Sequence, residues 1–302
     1  MRFEFATATR IIFGESTAAT LPDLARTFGT RPLVVTGSSR ERARALVSAL
    51  SAETFAVSGE PTVDLVREGA RQARDAACDV VISIGGGSVI DAGKAIAIIA
   101  TNGGEPLEFL ETVGKGRTIT VPPLPFIAVP TTAGTGSEVT RNAVLGSTEH
   151  GVKASLRSPL MLPRVALVDP ELTYGLPPEV TAFTGLDALT QLIEPYVSIR
   201  ANPLVDAICV AGIERIAGAL RRAYHNGADR DARHDMALAS LFGGLALANA
   251  GLGVVHGFAA PLGGQWKAPH CTASVPSYSV EIKLVKPTRT RTWNQGIMSA
   301  LL

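Results

Sequence analysis

Short runs of apolar, β-branched residues recur through the first half of the chain, each ended by Gly, Pro, Thr or Asp: RPLVVTG (31–37), CDVVISIGGG (78–87), PFIAVPTT (125–132) and RVALVDP (164–170). Runs of this length without polar alternation predict strands covered on both faces, as in a parallel sheet. Helical patterns over Arg40–Leu50 and Thr62–Ala77 lie between the first two runs, and Val89–Ala100 follows the second directly. Strand, turn and helix in this rhythm predict an α/β domain with a parallel, doubly wound sheet, whose ligands sit at the carboxyl ends of the strands.

After LTYGLPPEV (172–180) the strand-like runs stop and Ala/Leu-rich helical segments extend from Thr181 to Gly264, among them Asn202–Leu220 and Arg233–Asn249. Their apolar spacing suits helices packed on several sides. The division expected is an α/β domain over 1–176 and a helical domain over 177–302, with the boundary near Gly175–Pro178.

Composition narrows the function. At 302 residues, 46% of them hydrophobic, the chain can fill two cores, and a net charge of +1 gives no general attraction to nucleic acid or an anionic membrane. A small-molecule partner is therefore expected. The cysteines, Cys78, Cys209 and Cys271, are scattered with no CxxC pair, which fits a reducing compartment. Residues 1–14 contain no apolar leader core and no stretch is a membrane span, so the expectation is a cytoplasmic protein.

Two loops carry candidate chemistry. In SIGGGSVIDAGKAIA (83–97) three glycines follow a buried strand and open a helix, so the backbone can approach an anion while the helix presents its free amides. The spacing is neither GxGxxG nor a P-loop, and a tight strand-to-helix turn would use the same glycines. VPTTAGTGSEVT (129–140) supplies hydroxyls from Thr131, Thr132, Thr135 and Ser137 at the end of another strand, suited to a ribose or phosphate rim or to capping a helix start. Further on, Asp187 and Gln191 lie four apart and share a helix face in GLDALTQLIEP (185–195), and HGFAAPLGGQWKAPH (256–270) contributes His256 and His270.

Taken together and in order, GGGSVIDAGKA, PTTAGTGSE, VDPELT and GLDALTQLIEPYVS resemble the iron-containing (group III) alcohol dehydrogenases over Phe3 to about His270. The resemblance implies a dinucleotide-binding domain, a helical domain, and a divalent metal, Fe²⁺ or Zn²⁺, with hydride transfer in a cleft between them. It implies a cofactor site of Gly85, Gly86, Gly87 and Ser88 at the diphosphate, with Asp91 in the helix that follows, and Thr131, Thr132, Thr135 and Ser137 along the cofactor. Lys153 resembles the family's lysine near the nicotinamide ribose. Gly37 and Ser38 stand where NAD-preferring relatives carry an acid for the ribose diol, so NADP is favoured and NAD is the alternative. Asp187, His256 and His270 fall on metal-ligand positions, with Gln191 where the family has histidine. A homodimer acting on small alcohols and aldehydes is implied as well.

The departures from the pattern are specific. An amide oxygen at Gln191 binds iron or zinc less well than imidazole and shifts preference toward harder cations. Ala260 replaces a histidine near the nicotinamide in many relatives. Beyond His270 the segment 271–302 leaves the family pattern, and from Glu281 it has four basic residues against one acid, so the C-terminal helices are expected to be incomplete. These features keep two alternatives: a metal-independent reductase resembling maleylacetate reductase, and an inactive nucleotide-binding remnant.

Overall fold

The computed structural model describes residues 2–38 and 43–258, which form two units. The first, residues 7–132 and 137–172, is an α/β unit. Its six-stranded sheet has the order β1 (Arg10–Phe13), β8 (Val165–Val168), β5 (Phe126–Pro130), β4 (Val80–Gly85), β2 (Pro32–Gly37), β3 (Glu53–Val57). Every adjacent pair is parallel. Alternate side chains of one strand serve opposite faces, which is why the central strands are continuously apolar. Leu33, Val35, Val81 and Phe126 pack with α3 (Val63–Asp75) and α4 (Gly87–Asn102). Val34, Ile82, Ile84 and Ile127 pack on the other face with α1 (Leu21–Arg26) and α2 (Arg44–Ala49).

Helix boundaries follow local chemistry. Thr62 caps α3 by accepting a hydrogen bond from Leu65 N at 3.2 Å. Helix α4 is buried from Val89 to Ile99, so its interior carries no amphipathic stripe. An antiparallel hairpin, β6 (Asn142–Ser147) and β7 (Val152–Arg157), adds Ala143, Leu145, Ala154 and Leu156 to the core beside α4.

A charged clamp fastens that hairpin. Lys94, 1% exposed, donates to Thr140 Oγ1 at 2.9 Å and Asn142 O at 2.7 Å, and meets Asp91 Oδ1 at 3.4 Å. Asp91 Oδ2 accepts from Val144 N at 3.0 Å. Burial lowers the Lys94 pKa against the opposing pull of Asp91, and burial pushes the nearby Glu138 carboxyl up to about 7.

Among the described residues, the second unit comprises 2–6, 133–136 and 173–258. It is built on α5 (Pro178–Val197), α6 (Pro203–His225) and α7 (Arg230–Ala250). Asn202 and Asp229 cap the latter two, accepting from Val205 N at 3.2 Å and Ala232 N at 3.0 Å. Ala188, Leu192, Ile213, Ile216 and Met236 form its core. Arg233, 2% exposed, is satisfied by Thr181 Oγ1, Gly227 O and Leu176 O, as a buried guanidinium requires. Cys78 and Cys209 are buried free thiols, and burial pushes Cys209 up to about 12, which leaves it unreactive. No described helix is long and apolar enough to cross a membrane.

Candidate functional site

At the carboxyl edge of the sheet, β2, β4 and β5 end level with one another. Thr36 stands opposite Ile84 and Gly85 opposite Pro130, which sets Gly37, Gly85 and Thr131 side by side. Thr131 N donates to Gly85 O at 3.0 Å, and a Cβ on Gly86 would come within 3.3 Å of Thr132 Oγ1. The two loops singled out in the sequence are therefore neighbours.

Gly85 has no room for a side chain, because a Cβ there would fall 2.6 Å from Val89 Cβ. Gly86 caps α4 and accepts from Val89 N at 3.0 Å and Ile90 N at 3.1 Å, so the amides at Gly87 and Ser88 open the helix at the positive end of its dipole. Ser38 N donates to Val57 O at 3.0 Å, extending the β2–β3 pairing one residue past Gly37.

The remaining cofactor candidates are distributed differently. Asp91 faces Lys94 and Val144 in the hairpin clamp. Lys153 pairs with Glu60 at 2.5 Å, and the hairpin is stitched to the same loop by Gly146 N donating to Pro61 O at 2.8 Å. Thr131, Thr132 and Ser137 belong to the α/β unit, whereas Thr135 lies in the 133–136 segment of the helical unit. That segment runs hard against α7: Gly136 has φ +57°, and a Cβ on Gly244 would fall 2.2 Å from Gly136 O. Only glycine at both positions permits this backbone contact.

The metal-ligand candidates form a buried polar cluster in the helical unit. Asp187, Gln191 and Glu194 occupy one face of α5 and are 0%, 2% and 1% exposed. Gln191 Nε2 donates to Asp187 Oδ2 at 2.9 Å. Because a carboxylate only accepts, this bond fixes the amide orientation and turns Gln191 Oε1 away from Asp187. His256 brings Nε2 to 3.3 Å from Asp187 Oδ1, while its Nδ1 lies 2.5 Å from Glu194 Oε2. Burial alone would lower the His256 pKa, but Asp187 and Glu194 raise it to about 9. Burial would raise the Glu194 carboxyl, but hydrogen bonding to His256 and its charge hold it below the usual range.

These donors fit a divalent cation. Gln191 Oε1 is buried without a hydrogen-bond donor among the described residues, a costly state, and Asp187 Oδ1 has only the His256 ring nitrogen at 3.3 Å facing it there. Carboxylate oxygen, amide oxygen and imidazole nitrogen together suit a borderline or hard metal. No trio of His, Cys, Asp and Glu able to hold a metal is assembled among the described residues, since Gln191 takes one place and His270 lies outside them, as do Ala260 and the 271–302 tail. Glu194 was not singled out in the sequence; its signal was an acid in an apolar helix, seven residues after Asp187.

Residues 8–170 match the family described as iron-containing alcohol dehydrogenase, and residues 181–283 match the C-terminal part of the Fe-containing alcohol dehydrogenase family. Alcohol dehydrogenase 4 of Schizosaccharomyces pombe is 42% identical over 244 residues, covering 80% of this chain and 57% of that protein. Among solved structures, a 1,3-propanediol oxidoreductase superposes with a TM-score of 0.87 at 36% identity, over 95% of this chain and 78% of that one. Sulfoacetaldehyde reductase from Bifidobacterium kashiwanohense, in complex with NAD⁺, gives 0.90 at 32% identity, over 98% and 81%. The chain spans 57%, 53% and 63% of the length of three curated relatives. With both halves of its sequence matched and relatives above 40% identity, the chain belongs to the iron-containing alcohol dehydrogenase family.

Proposed function

We propose that this chain provides the catalytic apparatus of a metal-dependent NAD(P) oxidoreductase that interconverts small alcohols and aldehydes or ketones by hydride transfer. The observation that carries the reading is the buried set Asp187, Gln191 and His256, in which Gln191 Oε1 has no hydrogen-bond donor among the described residues, Asp187 Oδ1 faces the His256 ring, and the imidazole is already oriented. With Fe²⁺ or Zn²⁺ bound, that set supplies Lewis-acid polarisation of the substrate oxygen, and a bound nicotinamide supplies or accepts the hydride.

The chain's own contributions are positioning and charge. Asp187 gives the anionic ligand, Gln191 a neutral oxygen held by Asp187, and His256 its Nε2, with His270 as the expected fourth ligand. Gly85, Gly86, Gly87 and Ser88 offer close backbone approach and helix-opening amides to the diphosphate. Thr131, Thr132, Thr135 and Ser137 supply hydroxyls along the cofactor, and Lys153 a cation near the ribose. Asp91 supports this region through the Lys94 clamp. Gly37 and Ser38, lacking an acid, leave space and a donor for a 2′-phosphate, which favours NADP; the NAD⁺ complex of the sulfoacetaldehyde reductase keeps NAD as the alternative. A homodimer is part of the same reading.

The test is aldehyde-dependent oxidation of NADPH and NADH, followed by nicotinamide absorbance over a panel of small aldehydes. Turnover with either cofactor is expected, faster with NADPH. Tight NADPH binding with no turnover on any aldehyde would favour the nucleotide-binding remnant.

A further inference from the structure

We infer that Glu194 is the positioning residue of the metal centre, acting through His256; this rests on the metal-dependent reading above. Its carboxylate is held by the turn that carries His256. Oε2 lies 2.5 Å from His256 Nδ1, while Oε1 accepts from Val255 N at 2.8 Å and from His256 N at 3.4 Å. One side chain from α5 therefore holds both the ring and the backbone of the ligand residue, at the first turn of the helical segment 254–258.

The consequence for the ring is specific. A carboxylate at Nδ1 keeps the proton on that nitrogen, so Nε2 is the nitrogen available to a cation, and the ring plane is fixed toward Asp187 Oδ1 at 3.3 Å. Glu194 is 1% exposed, and its hydrogen bonds among the described residues run to the segment bearing His256. A charge placed in the core of a helix would be costly unless paired, and His256 is its partner. Gly253 belongs to the same device. A Cβ there would lie 3.0 Å from Glu194 Oε1 and 3.3 Å from its Cδ, so the missing side chain lets the carboxylate sit against the turn.

The experiment is a Zn²⁺ titration of the purified full chain against a chromogenic chelator, with Glu194→Gln, Gly253→Ala and Asp187→Ala alongside wild type and circular dichroism as a folding check. Glu194→Gln keeps the shape and removes the charge; about 10- to 100-fold weaker Zn²⁺ binding is expected, the range typical of partners that orient a ligating histidine. Gly253→Ala keeps the charge and displaces it, and a smaller loss of several-fold is expected, which carries the test if Glu194→Gln does not fold. Wild-type affinity in a folded Glu194→Gln protein, or in Gly253→Ala if the former is unfolded, overturns the inference while leaving the metal site intact. Wild type that binds no better than Asp187→Ala overturns the metal reading itself, and this inference with it.

Discussion

Glu138→Gln should remove a pH dependence that resides in the α/β unit. The Glu138 side chain is 3% exposed and its carboxyl is pushed from 4.5 to about 7, chiefly by burial, with Lys94 pulling the other way. An acid with a raised folded pKa stabilises the fold least when it must ionise inside it. Below pH 4.5 both folded and unfolded chains hold the proton and nothing is lost; between 4.5 and 7 the unfolded chain ionises first and stability falls; above 7 the loss is complete. At about 1.4 kcal/mol per pKa unit, the shift amounts to a loss of about 3 kcal/mol. Urea unfolding of wild type and Glu138→Gln, followed by far-UV circular dichroism from pH 4.5 to 8, isolates this group because all others cancel in the difference. The wild type should lose about 3 kcal/mol relative to the variant across that range, most steeply between pH 5 and 7. Parallel stability curves would refute the assignment of a buried, proton-retaining carboxyl at Glu138.

Other outcomes follow from the same contacts. Gly244→Ala places a Cβ 2.2 Å from Gly136 O, and should destabilise the protein by about 1–3 kcal/mol or more, read as a fall in melting temperature. Lys94→Met leaves the Asp91 carboxylate buried without its cation, a loss of about 3–5 kcal/mol; Asp91→Asn in the same chain should restore part of it in a denaturant titration. Gln191→His replaces a weak amide donor by imidazole and should tighten Zn²⁺ binding measurably by chelator competition, with the preference for Mn²⁺ over Zn²⁺ falling.

The parts of the fold that the sequence disclosed were those with a strong local signal. The four central strands are apolar on both faces, and each lies within one residue or two of its expected run. Helix α3 starts where Thr62 caps it, and α7 where Asp229 caps it, three residues ahead of the periodic stretch at Arg233. The elements that escaped detection lack such signals. β1 is four residues long and exists through pairing with β8, more than 150 positions away, and β3 is an edge strand of mixed burial. The hairpin β6–β7 is held by Lys94 and Asp91, whose contacts are invisible to any window of neighbouring residues.

The site was legible to the same extent. The i, i+4 spacing placed Asp187 and Gln191 on one face, where they hydrogen bond, and the glycines of residues 85–87 do open a helix beside Thr131. Glu194 was missed because its partner lies 62 positions away and its spacing from Asp187 resembles any buried stripe. Lys153 was named from the sequence, but its ion pair with Glu60 depends on the hairpin register and could not be read there.

If a cation held by Asp187, Gln191 and His256 drives carbonyl reduction, NADPH oxidation by chelator-stripped protein with an aldehyde substrate, measured before and after adding Fe²⁺, Zn²⁺ or Mn²⁺ and with Asp187→Ala as the control, will show it. Activity that appears only on adding metal and is absent in Asp187→Ala is the predicted result. Equal turnover with and without metal, or an Asp187→Ala variant as active as wild type, would contradict it.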